Sequence, residues 1–106
     1  MSHESARSVR LTGVFGNLVV GDDSCLCRLI EISETAIIVQ PSPMPKHSNG
    51  EVQVQFVLPG SRSLLCSWGE IVQRTVDLKV TVRRTHEPPR IREAIDAFLQ
   101  QAQQPA

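Results

Sequence analysis

Arginine is the residue type in this chain whose placement suggests chemistry most directly. Arg7 and Arg10 stand near the start with two residues between them, in ARSVR, and Arg83, Arg84, His86, Arg90 and Arg92 crowd a short stretch near the end. A guanidinium chelates phosphate through two parallel N–H bonds and lies flat on a purine, so an arginine pair on an extended segment suits an anionic nucleotide. The competing reading of the C-terminal group is a solvated basic rim facing nearby acids. Other constellations are weaker. Asp22-Asp23 and Glu31/Glu34 sit in or beside turn-forming stretches, where neighbouring side chains diverge and make no acid–base dyad. Cys25 and Cys27 share one face of a strand, and Cys66 lies on another. With His47 or His86 they would make a soft metal site, but without a second closely spaced cysteine pair they read as small buried hydrophobes. Nucleophile elbow and phosphate loop are both missing from the sequence, and no set of nucleophile, base and metal assembles, so an enzyme is not expected.

Composition narrows the partners. The chain has 106 residues, with 11 Lys plus Arg against 11 Asp plus Glu, a formal net charge of zero. That length suits one domain with one core, and neutrality disfavours non-specific binding to nucleic acid. Aromatics make up 4%, with no tyrosine, so the core must be built from valine, leucine and isoleucine. Apolar runs fall far short of the roughly 20 residues a membrane helix needs, and MSHESARSVR lacks the apolar stretch of a signal peptide. Together with an odd cysteine count, this predicts a cytoplasmic protein with reduced thiols and no cofactor.

The elements that must position these residues follow from periodicity. Val9, Leu11, Gly13 and Phe15 alternate with polar residues, which predicts a strand broken at Gly16-Asn17 and followed by a short apolar remnant, 18–20. Residues 21–24 are turn formers. Strands are predicted over 25–32 and 36–40, joined tightly through Ser33-Glu34-Thr35. Residues 41–50, PSPMPKHSNG, read as a surface loop, because proline donates no ladder hydrogen bond. Further strands are expected over 51–58, over 63–74 with a bulge at Gly69, and over 77–84 with Leu78, Val80 and Val82 inward. After Pro88-Pro89 the spacing of Ile91, Ala94, Ile95, Phe98 and Leu99 predicts an amphipathic helix over 88–102. The expected fold is all-β: a six-stranded antiparallel β-barrel over about 8–84 with one C-terminal α-helix, the whole chain forming one domain.

In this order the pieces resemble the PilZ domain family of bacterial cyclic di-GMP signalling. ARSVR resembles the family's RxxxR motif, EISETA its [D/N]xSxxG motif, and NGEVQVQFVLPG, CSWGEIVQR, VDLKVTVRR and IREAIDAFL the strands and helix that follow. The resemblance implies a six-stranded barrel with a C-terminal helix, and a cyclic di-GMP site at Arg7, Arg10, Glu31, Ser33 and Ala36. Each motif departs from the pattern. Arg7-x-x-Arg10 is one residue short, which shifts reach by ~3.3 Å and reverses the face. Glu31 stands for Asp or Asn, and Ala36 for a glycine, at a cost of ~1–2 kcal/mol if the position is left-handed. The resulting expectation is a non-enzymatic regulatory or adaptor domain of the kind found in pilus- and motility-related assemblies. It would work through contacts with a partner protein, over the 41–50 loop or the exposed helix face, and its nucleotide site would be weakened or lost. One alternative is a working cyclic di-GMP receptor using Arg7, Arg10 and Ser33, with Glu31 as substitute. A second is a small barrel binding single-stranded nucleic acid, disfavoured by the few aromatics available for stacking.

Overall fold

The computed structural model describes residues 8–43 and 51–102; Arg7, His47, most of the 41–50 loop and the last four residues lie outside them. Alternation drives the architecture. In Glu51–Phe56, Val52, Val54 and Phe56 are buried while Glu51, Gln53 and Gln55 face outward, and the same period recurs in the longer strands, slipping by one between Leu29 and Ile32 where the ladder shifts register. The strands in chain order are β1 (Ser8–Arg10), β2 (Phe15–Val20), β3 (Asp23–Ser33), β4 (Ala36–Ser42), β5 (Glu51–Phe56), β6 (Leu65–Arg74) and β7 (Val80–His86), followed by helix α1 (Pro89–Ala102). Their antiparallel neighbours run β3-β2-β5-β6-β7-β4 and return to β3, closing a six-stranded barrel, while β1 lies outside the ring against the end of β3. Closure leaves the ring strands without a bare edge. The expected barrel and helix are both present, with one strand added.

That extra strand comes from a break in the first strand. Arg10 pairs with Glu31 and Phe15 with Arg28, so residues 11–14 face only Leu29 and Ile30. Gly13 supplies the kink at φ 69°, a conformation that costs glycine little. The insertion reverses the alternation: Val9 and Leu11 pack toward the core, then Val14, Leu18 and Val20 take the inward positions and Phe15 turns out to solvent. The predicted core face for Phe15 is therefore wrong. Gly16-Asn17 does not interrupt anything either. Gly16 lies within β2, where a Cβ would collide with the Gln55 carbonyl oxygen of β5.

Two more expectations change. Pro41, expected in a loop, pairs with Cys27 in the β3–β4 ladder. It is tolerated because β7 partners β4 only as far as Val39, leaving the proline on a locally single-sided strand. Leu78 does not take the inward strand position that alternation predicts for it. It lies instead in the turn between β6 and β7, closed by Thr75 N–H to Lys79 O at 2.9 Å and Leu78 N–H to Thr75 O at 3.1 Å. Leu78 has φ 66°, and no other non-glycine among the described residues has a positive value. Gly69 behaves as expected: the β6–β7 register shifts beside it, and a Cβ there would collide with the Arg83 carbonyl oxygen.

Pro88 caps the helix, its carbonyl accepting from Ile91 N–H at 3.0 Å and Arg92 N–H at 3.1 Å. Ile91, Ile95 and Leu99 are buried in the common core, each contributing about 1.5–3 kcal/mol by leaving water. The helix packs on β1 and β6. No helix among the described residues is long and apolar enough to cross a membrane.

Candidate ligand-binding site

The structure sets Arg10 and Glu31 directly across the β1–β3 ladder. Ser33 ends β3, and its hydroxyl is used within its own turn, accepting from Ala36 N–H at 3.0 Å and Thr35 N–H at 3.3 Å. That side chain closes the hairpin in place of a left-handed residue. Ala36 then begins β4 without a positive φ, so the strain considered for a Cβ at this motif position does not arise. Arg7 lies outside the described residues.

Arg10 converges with two cations that the sequence motif does not contain. Arg10, Arg28 and Lys79, with Leu11, Thr12, Gly13 and Ile30, line a cleft of about 300 Å³. The irregular segment 11–14 forms one wall, the outer face of β3 the floor, and Lys79, in the turn before β7, the other wall. Arg28 donates from Nη2 to Gln40 Oε1 at 2.9 Å, and Gln40 Nε2 donates to the Asp77 carbonyl at 3.0 Å. Lys79 Nζ lies 3.3 Å from Asp77 Oδ2. A hydrogen bond from Thr75, then Lys79, holds the Asp77 carboxyl below its ordinary value, so it stays charged and orients the lysine. Two guanidiniums and an ammonium around one opening attract an anion. The signal that would have found Arg28 was present: it alternates with the inward Cys27 and Leu29. Lys79 carried no comparable signal, because its position depends on the turn.

The C-terminal arginines separate. Arg83 pairs with Glu70 on the surface, as a solvated rim would. Arg84 is buried, at 5% side-chain exposure against 2% for its partner Glu87. Its Nε and Nη2 donate to the two Glu87 oxygens at 2.8 and 2.6 Å, while Nη1 donates to the Ser33 and Glu34 carbonyls at 2.7 and 3.1 Å. Ser67 of β6 donates its hydroxyl to Glu87 as well. Burial pushes the Glu87 carboxyl up, but the bonds from Arg84 and Ser67, with the charges of Arg84 and Arg92, outweigh it and leave it below its ordinary value. Arg84 is therefore a structural cation beneath the motif turn rather than a ligand contact.

The cysteines are not brought together. Cys25 and Cys27 are buried on the inner face of β3, whereas Cys66 lies on the outer side of β6 beside Gln53. Burial, then the neighbouring Cys25, pushes the Cys27 thiol up to about 12. Among the described residues, no three His, Cys, Asp or Glu side chains are placed to hold a metal ion; His47 lies outside them.

No family model matches the chain, and no curated protein matches it. Among solved structures it is similar to the Bacillus subtilis inhibitor of motility, MotI/DgrA, with a TM-score of 0.75 at 11% identity, over 97% of this chain and 52% of that one. The chain thus spans about half the length of that protein. It is also similar to an uncharacterized Legionella protein, with a TM-score of 0.56 at 15% identity, over 90% of this chain and 91% of the other. The likeness is one of fold.

Proposed function

We propose that this chain is a non-enzymatic, cytoplasmic regulatory domain of the PilZ type, an adaptor in cyclic di-GMP-related signalling that works through contacts with a partner protein. The structural likeness to an inhibitor of motility over nearly the whole chain carries this reading. A weakened nucleotide site is supported by the short arginine spacing, by Glu31 in place of Asp or Asn, and by a Ser33 hydroxyl already bonded within its turn.

The cationic cleft favours a second reading, a receptor that holds cyclic di-GMP phosphates with Arg10, Arg28 and Lys79. Calorimetric titration of the full chain separates the two. The adaptor reading expects no saturable heat and no thermal shift at about 100 μM cyclic di-GMP. Saturable low-micromolar binding that weakens in Arg10→Ala and Arg28→Gln would replace it with the receptor.

A further inference from the structure

Three large apolar side chains stand exposed around one groove on the barrel wall. Phe15, Leu26 and Leu78 are 59%, 58% and 55% exposed, and with Pro41, Gln40 and Arg28 they line an open depression of about 360 Å³. Separate features of the fold bring them there. The insertion at 11–14 turns Phe15 outward onto the β3 position occupied by Arg28. Leu26 is an outward residue of β3 itself. The Gln40–Asp77 hydrogen bond fastens to β4 the turn that carries Leu78.

Leu78 is the most informative of the three. It occupies the left-handed region, where a glycine would serve the turn without strain. Its side chain is more than half exposed, so the fold recovers little burial for that strain. Strained, solvent-facing apolar residues are retained where something binds them.

The groove is also charged at one end. Arg28 lines both it and the neighbouring cationic cleft, and Lys79 directly follows Leu78. The surface therefore runs from aliphatic to positive along the outside of β3. Leu26, Leu78 and Pro41 make most of the apolar lining aliphatic, and with one cationic end the groove suits aliphatic side chains set beside carboxylates.

We infer that this groove docks a segment of a partner protein in which large aliphatic side chains lie next to carboxylates, the former between Phe15, Leu26 and Leu78, the latter on Arg28 and Lys79. The inference rests on the adaptor reading and gives that reading its surface.

An array of synthetic peptides carrying a leucine pair beside a glutamate pair at every short spacing provides the probe. Matched peptides have lysine for glutamate or serine for leucine. The full chain is expected to prefer the first set by roughly tenfold over either control, and Leu78→Gly and Arg28→Gln are each expected to reduce that binding about tenfold. Leu78→Gly is expected to do so with a melting temperature equal to or above that of the parent chain. Equal binding to all three sets would overturn the inference, as would a Leu78→Gly variant that binds normally or melts lower. Cyclic di-GMP titrated against Leu78→Gly and Phe15→Ser distinguishes the remaining case. If the parent chain binds the nucleotide and these variants lose it, the groove belongs to the nucleotide and both the partner assignment and the adaptor reading fall. If peptide selectivity is absent and the parent chain binds no nucleotide, only the groove assignment falls.

Discussion

The guanidinium of Arg84 lies 2.7 Å from the carbonyl oxygen of Ser33, 51 residues earlier in the chain. Through this one bond the turn between β3 and β4 is tied to the ion pair that precedes α1. The same Nη1 reaches the Glu34 carbonyl at 3.1 Å, and the Arg84 backbone N–H adds a third tie, to Thr35 O at 2.8 Å. The turn that carries the family-like motif is thus held by the segment entering the helix.

The first prediction follows from that burial. Arg84→Met leaves the Glu87 carboxylate without its partner in the interior and is expected to cost about 3–5 kcal/mol in urea denaturation. The double variant Arg84→Met/Glu87→Leu removes both charges and is expected to recover much of that loss, because two apolar side chains replace a pair whose desolvation was itself costly. Equal destabilisation by single and double variants would show that the hydrogen bonds to Ser33 and Ser67 matter more than the pairing.

Acid sensitivity should have the same origin. The folded-state carboxyl of Glu87 titrates below its ordinary value of 4.5. Its stabilising contribution is therefore complete above that value and is lost as pH falls through the lower, folded-state one. Melting temperature recorded from about pH 6 down to about pH 3 should fall more steeply in the parent chain than in Glu87→Gln, whose amide does not titrate over that range. Parallel curves would assign the acid sensitivity to other carboxylates.

A glycine at position 36, as in the motif this turn resembles, should not create a ligand site. Ala36 begins a strand without a positive φ, so Ala36→Gly relieves no strain and loosens the chain, at about 0.5–1 kcal/mol. Thermal denaturation should show the loss, and calorimetry with cyclic di-GMP should show no gain. A gain in affinity would mean that the turn adopts another conformation when the nucleotide binds.

Thiol chemistry tests the inner wall. With its thiol pushed up to about 12 and its side chain buried, Cys27 is expected to resist a disulfide reagent at about pH 8 until the chain unfolds. Cys66, on the outer side of the barrel, should react first. Early modification of Cys27 would indicate that β3 opens readily.

The regular parts of this fold were legible because each obeys one period. Val52, Val54 and Phe56 mark β5, and Ile91, Ile95 and Leu99 mark α1, without reference to the rest of the chain. Phe15 was misplaced because the inward positions slip by one residue between Leu11 and Val14, which reverses the faces of everything after, and Thr12-Gly13 differs little from ordinary alternation when read in sequence. Leu78 failed for a related reason: Thr75 closes a turn that composition does not announce. Arg84 resembled its neighbour Arg83 in sequence. Only the fold shows that one is paired on the surface and the other enclosed with Glu87, a carboxylate three positions on that could have been noted as a partner. Of the motif residues, Arg10 and Glu31 face one another across the β1–β3 ladder, whereas Arg28 and Lys79 reach the cleft through a ladder register and a turn.

Ring closure through β3 and β4 has a consequence for how the molecule opens. Among the described residues, β1 pairs with β3 alone, through Ser8, Val9 and Arg10 opposite Ser33, Ile32 and Glu31, and the six-stranded circuit is complete without it. Amides in this strand can therefore exchange with solvent by a local, low-energy release while the circuit keeps its protection. Loss of that pairing would carry Arg10 away from the cleft while Arg28 stays on β3 of the closed circuit.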